Sequence, residues 1–350
     1  MSLMEKLKKN CTIKESAILD DSRFFEDVEM VPTSVPALNI ALSGEVDSGF
    51  SSGLITFAGP SKHFKSCFTL ILIKAYLDKN KDGVCVFFDS EFGSGKDYFN
   101  SFGIDTARVF HIPITNIEVL KFEIMQQLNE IKRGDHCIIA LDSLGNLASL
   151  KEVEDSLNSK TVGDMSRAKQ IKSLFRMVTP QLTMKRIPMV VVNHTYKEIG
   201  LYPKDILSGG TGSYYSSDAI FIIGRQQEKD GTELSGYNFI INVEKSRKTK
   251  EKSKIPVSVT FDKGISKWSG LLEMTLESGH VIKPSNGWYS KVDKLTGEIS
   301  DKKYREKDTN SDEFFGSILL DKTFKEWVKN RFKLSATNML TNDEIDKELQ

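Results

Sequence analysis

The run Leu54-Ile55-Thr56-Phe57-Ala58 is apolar and β-prone, and it passes directly into Gly59-Pro60-Ser61-Lys62-His63-Phe64-Lys65-Ser66. Together these residues read as a strand, a tight loop and a helix start. A loop of this kind aims backbone amides and the positive end of a helix at one point, a geometry that holds an anion. Lys65 adds a point charge, and the Ser66 hydroxyl can ligate a hard cation. The segment through Cys67 therefore reads as a cradle for the phosphates of a nucleotide triphosphate with Mg2+. One position departs from the pattern G-x-x-x-x-G-K-[ST], which wants Gly where this chain has Phe64. If the loop needs a positive φ there, the side chain costs about 1–2 kcal/mol, which neighbours can absorb. A plain glycine-containing turn is the competing reading of the segment alone.

A chain of 350 residues exceeds one ordinary domain, which predicts a large domain and a smaller one. Lys plus Arg and Asp plus Glu number 48 each, so any contact with nucleic acid must rest on local basic patches. Cys11, Cys67, Cys85 and Cys137 show no C-x-x-C or Cys/His ligand spacing. Cys85 and Cys137 sit in apolar runs, as buried free thiols of a reducing compartment do. No apolar stretch suits a signal peptide or a membrane span, which predicts a cytosolic protein.

Short apolar runs at 54–58, 84–88, 109–112, 137–141, 189–192, 219–223 and 237–243 read as strands. Helical spacing lies between them at 66–79, 116–132 and 164–178. Continuous apolar strands alternating with helices predict an α/β fold with a mostly parallel twisted sheet covered on both faces. Ligands of such sheets bind beyond the carboxyl ends of the strands. A short helical arm with Leu3, Met4 and Leu7 on one face precedes this core, and residues 1–30 form the N-terminal arm. Residues 31–265 form the core, and 266–350 form a small α+β domain, helical at 271–276 and extended at 279–282, with an acidic tail.

Several strand ends carry polar residues. Strand 137–141 ends in Asp142, the expected second partner of a magnesium ion on Ser66, or else a cap for the next turn. Strand 84–88 runs into Asp89-Ser90-Glu91, where either carboxylate can orient and deprotonate an attacking water. Spacing does not choose between them. Strand 189–192 leads to Asn193-His194, a polar pair placed to sense a terminal phosphate. Lys169, Lys172 and Arg176 fall at i, i+3 and i+7, a basic stripe on one helical face that can track phosphates. Two segments flank this helix, from Lys151 to Gly163 and from Lys197 to Gly212. The second is glycine-rich and reads as a functional loop. A further basic cluster spans Lys245, Arg247, Lys248, Lys250, Lys252 and Lys254. It can bind DNA, pair with acidic neighbours, or reach a nucleotide on an adjacent subunit.

These motifs, in this order, resemble the RecA recombinase superfamily and in particular its phage branch, the UvsX recombinases. The resemblance is carried by V-P-T-S-V-P-A-L-N-I-A-L-S-G at 31–44, G-P-S-K-H-F-K-S at 59–66 and F-F-D-S-E-F-G at 87–93. It continues in I-I-A-L-D-S-L-G-N-L at 138–147, V-V-N-H-T-Y at 191–196, V-E-K-S-R at 243–247 and N-G-W-Y-S at 286–290. It implies a RecA-like P-loop ATPase core in which Lys65 and Ser66 hold ATP and Mg2+ with Asp142 as second metal partner. It also implies that Glu91, rather than Asp89, activates water and that the ring of Tyr98 stacks on adenine. His194 would sense the γ-phosphate, where bacterial members usually carry Gln. Lys245 and Arg247 would reach ATP on the neighbouring protomer, while Lys169, Lys172, Arg176 and the two flanking loops would contact DNA.

The implied activity is that of a single-stranded-DNA-dependent ATPase that forms a homo-oligomeric helical filament and exchanges strands with homologous double-stranded DNA. A single-stranded-DNA-binding protein and a mediator protein are implied partners, in the cytoplasm of a bacterial host. Two other readings share the core: a hexameric DNA helicase, against which the short arm counts, and a non-hydrolysing filament scaffold, which Phe64 would favour if it blocked phosphate binding.

Overall fold

The strands explain the placement of everything else. β1 (Gly53–Ala58), β4 (Cys137–Asp142) and β5 (Pro188–Asn193) are buried along their whole length, as interior strands covered on both faces must be. In the computed structural model, which describes residues 1–13, 15–22, 29–158, 166–198 and 205–334, they lie at the centre of a nine-stranded sheet. The other strands of that sheet are β2 (Val84–Asp89), β3 (Val109–Pro113), β8 (Ala219–Asp230), β9 (Glu233–Ser246), β10 (Lys254–Thr260) and β11 (Gly264–Ile265). Its order is β11-β10-β9-β8-β1-β5-β4-β2-β3. The pairings from β3 through β8 are parallel, and those from β8 to β11 are antiparallel. Sequence periodicity finds β1 to β5, β8 and β9, but β8 and β9 run past the expected 219–223 and 237–243. The extension of β8 is polar throughout from Arg225, and that of β9 begins Glu233-Leu234-Ser235-Gly236; the two form a hairpin around Gly231, which a search for continuous apolar runs passes over.

Register brings the polar strand ends to one edge. Ala58 pairs with Asn193, and Asp89 pairs with Asp142. Side chains alternate along β1: Leu54 joins the cluster under α5 (Ile117–Glu130) and α7 (Ser166–Lys185), while Ile55 and Phe57 join the cluster under α2 (Pro36–Ser43) and α3 (Lys65–Lys79). The second cluster continues into the C-terminal region. There α9 (Leu271–Glu277), α11 (Asp312–Leu320) and α12 (Lys322–Phe332) contribute Leu271, Phe315 and Phe324 to the same buried set. That region also carries its own antiparallel sheet of β12 (Val281–Ser285), β13 (Trp288–Lys291) and β14 (Tyr304–Arg305), with the short α10 (Glu306–Thr309). The N-terminal α1 (Leu3–Asn10) is closed by a Ser2–Glu5 capping box and leaves Leu3, Met4 and Leu7 exposed. The acidic tail 342–350 lies outside the described residues. Among the described residues, no helix is long and apolar enough to cross a membrane.

Two segments expected as loops hold regular structure. Residues 151–157 of the first lie in α6 (Leu150–Leu157), because Ser149 and Glu152 make a capping box and Leu150, Val153 and Leu157 recur at helical spacing. Residues 159–165 lie outside the described residues, including the expected helix start at 164; α7 is described from Ser166 and extends beyond 178 to Lys185. In the second segment, β6 (Thr195–Lys197) and β7 (Asp205–Leu207) pair antiparallel, and α8 (Thr211–Ser216) follows Gly209 and Gly210, both at positive φ. A glycine-rich composition hid these elements, since each is only three to six residues long. Residues 199–204 lie outside the described residues.

Candidate nucleotide and DNA site

The loop 59–64 folds as its sequence requires, and it resolves the Phe64 departure. Phe64 adopts φ 62° and ψ 15°, the left-handed conformation expected of glycine at that place. Its ring stacks on Phe239 at 4.8 Å and meets Phe68 edge-on at 5.4 Å. Aromatic pairs of this kind contribute about 0.5–1.5 kcal/mol each beyond the area they bury, enough to offset a strained backbone. The backbone that a phosphate loop needs is therefore kept, with its strain offset by packing. Lys62 shares the positive φ, and Arg225 donates to its carbonyl at 3.2 Å. The His63 Nδ1 lies 2.8 Å from the Ser61 carbonyl.

Lys65 opens α3 and is buried. Its Nζ donates to the Pro60 carbonyl at 2.7 Å, and burial lowers its pKa against the opposing pull of Glu91 and Asp142. Asp142, across the cleft on β4, is also buried. Burial raises its carboxyl to about 6, partly opposed by a hydrogen bond from Ser66. Among the described residues, Asp142 Oδ1 is a buried oxygen with no hydrogen-bond partner. A cation supplies what such an oxygen lacks, so the Ser66–Asp142 pair fits a magnesium ion. Among the described residues no cluster of three or more His, Cys, Asp or Glu side chains surrounds it, so further ligands would come from phosphate and water.

The raised carboxyl has a measurable sign. Its folded value lies above the ordinary 3.8, so stability is gained as pH falls through about 6 and lost as pH rises. At pH 7 the ionised group opposes folding. Asp142→Asn should therefore stabilise the nucleotide-free protein by about 3 kcal/mol at pH 7, and the gain should shrink as pH falls below 6. Melting curves between pH 5 and 8 check this; a variant that melts lower than the parent at pH 7 contradicts it.

Spacing left Asp89 and Glu91 as equals, and the structure separates them. Asp89 is 3 % exposed; its Oδ1 accepts from the amides of Glu91 and Phe92 at 3.1 and 2.8 Å, and its Oδ2 lies 3.1 Å from His111 Nε2. Both of its oxygens are thus engaged in shaping the turn. Glu91 instead faces the cleft between the ends of β2, β4 and β5. Its Oε1 accepts from the Ser143 hydroxyl at 2.6 Å and sits 3.0 Å from His194 Nε2. These two partners, the histidine foremost, hold its carboxyl below the usual value, so it is ionised at neutral pH. The β2 and β4 ends are tied together by Ser90 Oγ, which donates to the Ser143 carbonyl at 2.7 Å and accepts from the Ser143 amide at 3.0 Å. Tyr98, on α4 (Lys96–Ser101), lies beside the start of α3, its hydroxyl 2.6 Å from Cys67 Sγ. Burial raises the Cys67 thiol to about 11, so it is protonated.

The basic stripe is exposed as expected. Lys169, Lys172 and Arg176 face outward on α7, while Ile171, Leu174, Phe175 and Val178 pack inward. The glycine-rich segment lies directly on that helix: a Cβ at Gly212 would sit 2.7 Å from the Lys172 Cα, a close approach that only glycine allows. One expected DNA-contacting segment and the stripe thus form one surface. The second basic cluster is largely engaged within its own chain. Lys248 donates to Ser51 Oγ at 2.8 Å, and Lys250 to the Asn330 carbonyl at 2.6 Å. Lys245 donates to the carbonyls of Tyr214 and Tyr215 at 2.8 and 3.1 Å, and Arg247 pairs with Asp218 at 2.8 Å.

Sequence reasoning missed three contributors. Ser143 follows the singled-out Asp142 and carried no periodic signal. Gly145 is one of 24 glycines, yet a Cβ there would fall 2.1 Å from His194 Cδ2, so the imidazole lies on it. Arg167, two residues before the stripe begins, turns inward and was invisible to an i, i+3, i+7 count.

The fold and the cleft define the class to which the chain belongs, and comparison with known proteins agrees. Residues 2–266 match the RecA N-terminal domain, and residues 268–328 match the C-terminal domain of the bacteriophage T4 recombination and repair protein. The chain belongs to the RecA family, in its phage UvsX branch. It is similar to the recombination and repair protein of Enterobacteria phage T4, at 47% identity over 99% of this chain and 90% of that protein. It is also similar to Protein RecA of Bacteroides thetaiotaomicron, at 29% identity over 85% of this chain and 88% of that one. Protein RecA of Streptomyces rimosus shares 27% over 76% and 69%.

Proposed function

We propose that this RecA-family recombinase is an ATP-dependent enzyme that assembles as a filament on single-stranded DNA and exchanges strands with a homologous duplex. The observation that carries this reading is the convergence of Lys65, Glu91, Asp142 and His194 at the carboxyl ends of four parallel strands, with α7 and its exposed stripe rising beside them. In this reading Lys65 leaves the Pro60 carbonyl for the phosphates, joined by the amides of 59–64. Magnesium, held by Ser66 and Asp142, would neutralise charge on the β- and γ-phosphates. Glu91 accepts the proton of the attacking water, and the imidazole of His194, already on Glu91, meets the terminal phosphate. Tyr98 supplies a ring face for adenine. Lys245 and Arg247 leave Tyr214, Tyr215 and Asp218 to reach the nucleotide of a neighbouring subunit.

The division into arm 1–30, core 31–265 and small domain 266–350 belongs to the same proposal, with α1 presenting its exposed Leu3, Met4 and Leu7 to the next subunit. A single-stranded-DNA-binding protein and a mediator are its proposed partners. Contacts to phosphate, with no reading of base edges, make binding sequence-tolerant and salt-sensitive. Replacing Lys169 and Arg176 together with Ala should weaken single-stranded DNA binding and reduce the slope of log affinity against log salt by about 1.4. Anisotropy titrations of labelled oligothymidine at several salt concentrations measure it. An unchanged slope would move the DNA path off α7.

A further inference from the structure

Arg167 lies on α7 two residues before the exposed stripe and does not share its outward face. It is half-buried, and its guanidinium fans out to four acceptors. Nε donates to the Leu147 carbonyl at 2.8 Å, and Nη2 donates to the carbonyls of Leu144 and Gly145 at 3.1 and 3.0 Å. Nη1 reaches Ser208 Oγ at 3.3 Å. The acceptors belong to two separate segments, the turn after β4 and the segment after β7, which no other side chain of α7 joins in this way among the described hydrogen bonds.

Both segments enclose His194. The imidazole lies on Gly145, whose carbonyl Arg167 holds. On the other side, the Ser208 amide donates to the His194 carbonyl at 2.8 Å, and Asn193 Nδ2 donates to the Ser208 carbonyl at 2.9 Å. His194 in turn touches Glu91. A shift of the histidine thus moves Gly145 and Ser208, and both are fastened to the helix that bears Lys169, Lys172 and Arg176. Only a planar fork with five donors spans acceptors so placed; a lysine ammonium is a point on a flexible stem.

We propose that Arg167 is a positioning residue that fixes the seat of His194 and transmits its nucleotide-dependent movement to the DNA-facing stripe of α7. This rests on the proposed function of the site and adds to it the link between nucleotide and DNA. Coupling between two sites is a ratio of affinities, commonly 5- to 150-fold, and a residue that carries it alters the ratio rather than either affinity alone.

The test measures affinity for labelled oligothymidine in the presence of ADP and of a non-hydrolysable ATP analogue. The unmodified protein should bind more tightly with the analogue; equal affinities there would defeat the recombinase reading itself, whatever Arg167 does. Given that difference, Arg167→Ala and Arg167→Lys should each reduce the analogue-to-ADP ratio at least about fivefold. Lys169→Ala should lower affinity in both nucleotide states and keep the ratio. Should Arg167→Ala fail to fold, Arg167→Lys decides, since it retains the charge and loses the planar fork. A parental ratio in a folded Arg167 variant, or equal losses in both nucleotide states, overturns the proposal and leaves Arg167 a packing residue.

Discussion

Glu91→Gln is expected to slow ATP turnover by about 10²–10⁴-fold, the usual contribution of a positioned general base, while ATP and DNA still bind. The variant keeps an oxygen for the Ser143 hydroxyl but loses the negative charge and with it the ability to take a proton. The native carboxylate can accept a proton at neutral pH, because His194 and Ser143 favour its charged form and keep it ionised. On the proposed function, in which hydrolysis loosens the filament, filaments formed by the variant should outlast those of the parent. Turnover is read by phosphate release, and lifetime by the rate at which labelled DNA is lost after dilution. Parental turnover would remove Glu91 from the chemistry. Failure to bind ATP would make it a structural residue instead.

Lys65→Ala is expected to raise the barrier to turnover by about 3 kcal/mol, near 100-fold in rate. The lysine is buried, and its charge is made unfavourable by burial and favourable by Glu91 and Asp142. The only hydrogen bond of its Nζ among those described is to the Pro60 carbonyl, a partner that does not match a buried ammonium in charge. Removing it relieves a cost to the nucleotide-free protein and takes away a charge that the phosphates would meet. The variant should therefore fold at least as well as the parent and bind ATP poorly. Titration with a fluorescent ATP analogue beside a melting curve separates the two effects. Near-normal turnover would contradict the assignment, and a collapse in melting temperature would show that Lys65 serves folding.

Much of this arrangement was legible in the chain. Buried parallel strands announce themselves as unbroken apolar runs, so β1, β2, β4 and β5 were found, and the residues just beyond them held the cleft. The positive φ at residue 64 followed from the place where a glycine was missing. What compensates it did not follow, because Phe239 lies 175 positions away and no local rule brings the two rings together. The choice between Asp89 and Glu91 needed coordinates for the same reason. Alternation puts both carboxylates on one side of a strand, and only the turn that follows reveals that Asp89 commits an oxygen to backbone amides. Helix α6 escapes a search for apolar periodicity because its eight residues are few and half of them charged, and only the Ser149–Glu152 box marks its start. Arg167 looked like one more basic residue beside a basic stripe, and its four acceptors are distant backbone and hydroxyl oxygens that carry no sequence signature.

The central claim is that a bound triphosphate governs how firmly successive copies of this chain join on an unpaired strand. Sedimentation velocity of the full-length protein with Mg2+ and a long oligothymidine tests it most directly, run once with a non-hydrolysable ATP analogue and once with ADP. Large, fast-sedimenting nucleoprotein assemblies should form with the analogue and dissolve when ADP replaces it. Protein that stays monomeric with nucleotide, metal and DNA all present, or that assembles equally well with ADP, would contradict the claim.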